Sequence, residues 1–381
     1  MAENKEILSA DKANIILDDF LVSTKPNQTT RSQQFAKYQR FILDNEQWDG
    51  IDEPKLGDPK VTLNESETYI DTYLSKLFPR NPETGALEVG VRVRGADKEK
   101  NETTILHTYR EQKLPAILLE QSQNFLIGGD ACIYYPQNAT TLKADIISLD
   151  PTRCYFTFNG SELEQFAFED EISVSDIPSN SSSFSWMIEA VKKFLGADSS
   201  PYKKVTRLTY WSNEYQIIRI DKEVRIFKNE FGFIPSSWIP NRPKAHTFEG
   251  RSEAKTLYAL EQHNNRLESD IAKRVHDNTN SPLLLSTDRD ASKLEKSMLD
   301  TGILPIEKGG SGDFLAHPEA PELLKFADHI SSKMDKKMAI NEAVNGAVKS
   351  NVSSLSMLYY FSPLLDRIAL KRVYWDQFFR D

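Results

Sequence analysis

The order of patterns in the last third of this 381-residue chain limits its possible folds more than any single motif does. Residues 252–277 contain no proline or glycine. Leu257, Leu260, Leu267, Ile271 and Val275 fall on one helical stripe there, with Glu, Lys, Arg, Asn and His crowding the other faces. A compact insert, 281–320, follows, with strand-like Leu283, Leu284, Leu285 and Ile303, Leu304, Pro305, Ile306 around a small helix at 291–299. A second long helix begins at Pro321-Glu322, a proline in the first turn followed by an acidic residue that suits the helix N-terminus. Its stripe is Phe326, Ile330, Met334 and Met338. After a small polar loop, 345–351, a third helix over 354–379 carries Leu358, Phe361, Leu365, Ile368, Trp375 and Phe379, and Pro363 inside it predicts a kink near Tyr359-Tyr360. Two helices flanking an insert naturally lie side by side and project it away from the main body.

The earlier part reads as helices first and antiparallel sheet after, an α+β arrangement. Helical spacing predicts helices over 33–47, 65–77 and 97–127, with an alternating strand at 87–94. From Gly128 the hydrophobic period changes from 3.6 to 2. Short strands are expected at 131–135, 144–149, 153–158, 164–168, 205–211, 215–220 and 223–227, with Asp221-Lys222 as a tight hairpin. A flexible loop at 179–183 and an amphipathic helix at 186–195 interrupt them, and the aromatic, Pro-rich run from Phe231 to Asn241 closes the region. At about 150 residues per domain, the length suggests two or three units.

Composition and motifs exclude several classes. Asp and Glu number 56 against 47 Lys and Arg, a net charge of −9, which argues against a protein that coats nucleic acid by bulk charge. The N-terminal stretch lacks a basic region and meets Asp18-Asp19 directly after its apolar residues, so no signal peptide is expected. The longest nearly apolar stretch, 357–365, is far short of the roughly 20 residues a membrane span needs. Cys132 and Cys154 are expected as buried, inert thiols, and such sparse usage suits a reducing compartment. Phosphate-loop, dinucleotide, zinc-protease and nucleophile-elbow motifs are absent. Gly309-Gly310-Ser311-Gly312-Asp313 lacks the lysine of a phosphate loop and reads as a surface turn. The histidines at 107, 246, 263, 276, 317 and 329 share no ligand spacing, and Asp18-Asp19 and Glu169-Asp170-Glu171 read as solvated faces or turns. No catalytic residue, metal or cofactor is expected. The loop at 345–351 reads either as a plain connection or as a contact loop presenting Lys349 to a polyanion.

Four passages, in order, resemble a known family. They are residues 123–135; Phe231-Gly232-Phe233-Ile234-Pro235 with Ile239-Pro240-Asn241 and Gly250-Arg251-Ser252; 323–344 with Asn345-Gly346; and Ser353-Ser354-Leu355-Ser356 with Ser362-Pro363-Leu364-Leu365 and Lys371-Arg372. The chain resembles the portal proteins of tailed bacteriophages, the head–tail connector. The resemblance implies an α+β wing over 1–245, stem helices within 246–280 and 321–344, and a small α/β clip at 281–320. A tunnel loop would occupy 345–352, and a kinked long helix over 353–381 would lead to a crown that is short or absent. Lys349, Ser350 and Asn351 would contact DNA, while Asp288, Arg289, Lys293 and Lys296 would dock the terminase large subunit and then adaptor proteins. The implied partners are further copies in a ring, dodecameric in the family, with double-stranded DNA in its channel and major capsid and scaffolding proteins around it. No membrane is implied; the ring would assemble in the host cytoplasm and reside at one capsid vertex of the virion.

Physical considerations agree with a ring. Closure by rotation needs head-to-tail contacts, which striped helices with charged flanks provide. An acidic channel wall avoids holding phosphate tightly, and one lysine per subunit becomes a ring of weak, salt-screened contacts. Two other readings are carried: an intracellular metal-dependent enzyme that processes nucleic acid, which the dispersed Asp and Glu residues permit without any spacing that demands it, and a phage or host scaffold without a channel.

Overall fold

A computed structural model of the chain describes residues 9–78, 97–137, 144–160, 162–177, 185–195, 200, 202–243, 247–279, 283–286, 303–306, 321–340 and 354–378. Among them are eight α-helices and ten strands, a mixed helix and antiparallel-sheet content that matches the expected α+β class. The chain divides into two compact units, one comprising 1–39, 70–255 and 366–381, the other 40–69 and 256–365.

The first unit is built on a five-stranded antiparallel meander, β3 (Cys154–Asn159), β4 (Glu162–Ile172), β5 (Val205–Ser212), β6 (Tyr215–Ile220) and β7 (Glu223–Lys228), in that spatial order. Strand alternation sends Tyr155, Ala167, Leu208, Tyr210, Ile217, Val224 and Ile226 to one face, where Ala13, Leu17 and Phe20 of α1 (Ala10–Leu43) pack on them. The opposite face is covered twice. Met187, Ala190 and Val191 of α5 (Ser185–Leu195) pack against Ile172, Val205, Ile218 and Ile220. Cys132, Tyr134 and Leu149 of a three-stranded antiparallel sheet, β2 (Ile147–Leu149), β1 (Asp130–Tyr134) and β8 (Ser236–Pro240), pack against Phe166, Phe168 and Trp211. Asp221 takes φ 53° at the β6–β7 hairpin, as a two-residue turn requires.

Several elements differ from the sequence reading for identifiable reasons. α1 begins at Ala10 rather than near residue 33 and runs through Pro26; it ends at Leu43, ahead of Asn45 at φ 58°. The single helix expected over 97–127 is two, α3 (Lys98–Glu111) and α4 (Leu114–Ile127), separated by Lys113 at φ 53°. Pro115 causes this break: it has no N–H for the Glu111 carbonyl and its ring would strike that carbonyl, so it fits only a first turn. The run closing the sheet region contains a strand, β8, which pairs with β1 from Asp130↔Pro240 to Tyr134↔Ser236.

In the second unit, β9 (Leu283–Ser286) and β10 (Ile303–Ile306) lie between the long helices α6 (Ala254–Thr279) and α7 (Pro321–Met338), and pair parallel. α8 (Ser354–Phe378) continues through Pro363. The buried face of α7 is Ala327, Ile330, Met334 and Met338, whereas Phe326 is exposed. α7 stops at Met338 instead of reaching 344. Ala339 turns left-handed at φ 54°, and Ile340 N–H reaches back to the Asp335 carbonyl at 2.9 Å, the six-to-one bond of a Schellman cap. Alanine carries a steric penalty in that conformation that glycine does not. Ala339→Gly is therefore expected to stabilise the protein by about 0.5–1 kcal/mol, read as a higher urea midpoint at unchanged slope.

Candidate functional site

The residues marked for function from sequence, Lys349, Ser350 and Asn351 of the tunnel loop and Asp288, Arg289, Lys293 and Lys296 of the clip, lie outside the described residues. So do the strand expected at 87–94, the loop at 179–183, the small helix at 291–299 and the turn at 309–313. The described residues assemble two buried polar clusters, one within each unit.

The first cluster forms where three of the passages quoted for the family resemblance meet. Gly129, at φ 100°, presents its carbonyl to Asn241 N–H at 2.7 Å. Gly250 lies against that same carbonyl: a Cβ there would stand 1.7 Å from the Gly129 oxygen, so only glycine fits. Gly250 N–H donates to Asp130 Oδ1 at 2.8 Å, and Arg251 N–H to the Asn241 carbonyl at 2.6 Å. The free carbonyls at the C-terminus of α4 are then satisfied by the approach to α6, since Glu253 N–H donates to Leu126 O at 2.9 Å and Ser252 Oγ to Ile127 O.

Lys371 of α8 closes this arrangement. The residue is 1% exposed, and its Nζ donates to Asn241 Oδ1 at 2.7 Å and to the Glu253 carboxylate. Arg242 holds the other Glu253 oxygen at 2.7 Å. The ammonium also stands over the rings of Tyr73 and Phe125 at 5.5 and 5.7 Å. One turn on, Trp375 packs between Phe78 and Phe125, and Arg372 caps the end of α2 (Glu65–Leu77) through the carbonyls of Leu77 and Lys76 at 2.7 and 2.6 Å. Burial pulls the Lys371 pKa down, with Arg242 and Arg367 adding to the fall, while Glu253 opposes it. Sealed from solvent and bonded on both sides, Nζ acts as a tie between chain segments and not as a nucleophile. The signal in sequence is a lysine standing inside the apolar stripe Ile368–Trp375.

The second cluster adds a buried polar stripe to α6, whose expected apolar stripe is buried at Leu257 and Leu267. Val275, placed on the apolar stripe, is 61% exposed, while Glu261, Gln262, Asn264, Asn265 and Ser269 are buried. These side chains serve the segment 47–66, turns and irregular chain leading into α2, which has no strand partner for its backbone. Asn265 Oδ1 accepts Leu63 N–H at 3.0 Å, Ser269 Oγ accepts Val61 N–H at 2.9 Å, and Gln262 Nε2 donates to Asp49 O at 2.9 Å. Asn265 Nδ2 also donates to Gln47 Oε1 at 2.6 Å. Glu261 takes both the N–H and the hydroxyl of Ser66 at the start of α2, where a carboxylate suits the free donors and the helix dipole. Beside them Tyr69 OH donates to Asp335 Oδ1 at 2.8 Å and Ser331 Oγ to Glu65 Oε1 at 2.9 Å. Burial raises the pKa values of both Glu65 and Glu261. The missed signal was the spacing of Glu261, Asn264-Asn265 and Glu268-Ser269, a second helical stripe made of polar residues.

The remaining features offer little open chemistry. Among the described residues no group of three His, Cys, Asp or Glu side chains is arranged to hold a metal ion, and no helix is long and apolar enough to cross a membrane. Cys132 and Cys154 are buried as expected, and the fold sets their thiols side by side; burial first, then Cys132, pushes the Cys154 pKa well up. A groove of about 200 Å³ in the first unit is lined in part by Gln28, Arg31, Tyr155, Thr157 and Glu249. Its arginine is committed elsewhere, donating to Pro151 O at 2.7 Å and Cys154 O at 3.1 Å and stacking on Phe156 and Trp238.

A scan of protein-family models and a search of curated proteins give no match to the chain.

Removing Lys371 strands the Glu253 carboxylate in the interior beside a half-exposed Arg242. Lys371→Met is expected to cost roughly 3–5 kcal/mol, and the double variant with Glu253→Gln less than the two single losses added together. Urea unfolding of the four proteins in the cycle measures the coupling.

Proposed function

We propose that this chain is the subunit of a portal ring, a structural and non-enzymatic channel at one capsid vertex through which DNA is packaged and later ejected. The observation that carries the reading is the chain order α6, the paired strands β9 and β10, α7 and then α8, following an α+β body. In this reading α6 and α7 are the stem, β9 and β10 belong to a clip at 281–320, and the segment 345–352 is the tunnel loop. Exposed apolar side chains support an assembly in which each copy covers the next: Leu324 and Phe326 on α7, and Leu365, Leu370 and Val373 on α8. The outer edges of a two-stranded pair also accept strands from neighbours.

The clip, with Asp288, Arg289, Lys293 and Lys296, would dock a terminase motor during packaging and adaptor proteins afterwards. Lys349, repeated around the ring, would make weak and salt-sensitive contacts with the DNA backbone. Capsid and scaffolding proteins would surround the ring.

Negative-stain microscopy of the purified chain tests the reading: end-on views are expected to show closed rings with a central hole, and a solid particle would point to a scaffold instead. Lys349→Ala is expected to leave the rings intact while changing packaging rate or packaged DNA length. If both stay unchanged, Lys349 is not the DNA contact.

A further inference from the structure

Two buried acceptors beside α6 have no donor. Glu65 Oε2 and Asn264 Oδ1 are both enclosed and both without a hydrogen-bond partner. Their other atoms are engaged through one hydroxyl: Ser331 Oγ donates to Glu65 Oε1 at 2.9 Å and accepts from Asn264 Nδ2 at 3.3 Å. Asn264 itself is 1% exposed. Unpaired acceptors in such a place are destabilising, and a single added donor removes the defect.

The groups facing Glu65 decide what that donor is. From α6 come Glu261 and Glu268, from α7 Asp335, and from its own helix α2 Tyr69, whose hydroxyl donates to Asp335 and also acts weakly on Glu65. The charged neighbours are carboxylates on every side, and none of these groupings is arranged as a metal site among the described residues. The N-terminus of α2 favours an ionised Glu65, but burial and the neighbouring carboxylates act against it.

We infer that Glu65 is a proton-binding site: its carboxyl holds a proton on Oε2 in the folded protein, and this O–H is the donor that the buried cluster lacks, latching the start of α2 to α6 and α7. Burial is the largest influence raising the pKa of Glu65; Ser331 and, more weakly, Tyr69 lower it by hydrogen bonding, and Asp335 and Glu268 raise it further. Because the folded pKa lies above the unfolded one, the latch contributes fully below the ordinary carboxylate range and is lost as pH rises through the raised value. Glu261, also raised mainly by burial, works in the same direction.

The test is urea unfolding of the full chain from mildly acidic to mildly alkaline pH, for the wild type, Glu65→Gln and Glu261→Gln. Glutamine at 65 keeps the acceptor for Ser331 and supplies a permanent N–H donor. Glu65→Gln is expected to match or exceed the wild-type midpoint at alkaline pH and to reduce the proton uptake linked to folding by about one. Glu261→Gln keeps most of the pH dependence, because Glu65 remains. Infrared pH-difference spectra should show a protonated-carboxyl band in the wild type that Glu65→Gln removes. The inference is overturned if Glu65→Gln is destabilised equally at every pH with an unchanged slope, or if that band persists. It is equally overturned if replacing sodium and potassium by choline at constant ionic strength abolishes the stabilisation, since a small cation would then be the ligand. Should Glu65→Gln fail to fold, a wild-type midpoint that does not fall as pH rises also overturns it.

Discussion

The ammonium of Lys371 holds together segments of the first unit that are far apart in sequence: Asn241 after β8, Glu253 before α6, and the aromatic rings of Tyr73 in α2 and Phe125 in α4. A buried charge is tolerated only when its partners are fixed, and here the backbone fixes them. The Gly129–Gly250 contact and the bonds from Arg251 to Asn241 and from Glu253 to Leu126 position the acceptors before the lysine arrives. Such a pair adds little net stability over well-packed apolar residues. Its value here is geometric, because only one placement of α8 brings Nζ to both oxygens.

The second unit follows the same logic with neutral groups. A segment of some twenty residues without strand partners must find hydrogen bonds for its backbone, and α6 supplies them from side chains in place of water. This explains a helix that buries a polar stripe as well as Leu257 and Leu267, while Val275 at the end of its apolar stripe faces out. It also explains why carboxylates stand in a half-dry environment: Glu261 serves the first turn of α2, and Glu65 lies beside it with one oxygen unserved.

Much of this fold was legible in the sequence wherever period and punctuation agreed. β6 runs over Tyr215–Ile220 and α2 over Glu65–Leu77, the expected limits, because each is bounded by turn residues or a following proline. Failures occurred where a local signal was outweighed. The helix expected over 33–47 is part of a longer one, since Ala13, Leu17 and Phe20 fix the earlier turns of α1 on the sheet. Pro115 did end a helix, although the apolar spacing on either side looked continuous. β8 was hidden by aromatic and proline residues, yet it pairs along its whole length with β1. Neither buried cluster was legible, because a stripe of Glu, Gln, Asn and Ser reads as solvated until the unpaired backbone it serves is known. Of the passages that carry the resemblance, those around Gly129, Asn241, Gly250 and Lys371 are neighbours in space, through long-range contacts that no local pattern encodes.

In the proposed ring, the acidic excess would keep a channel wall from gripping phosphate, and the exposed residues of α7 and α8 would be covered by the adjacent subunit. The most direct measurement is native mass spectrometry of the full chain across a concentration series. The portal reading predicts one dominant, high-order closed oligomer, near twelve copies if the family's stoichiometry holds. Monomers or dimers alone at the highest concentration would contradict it.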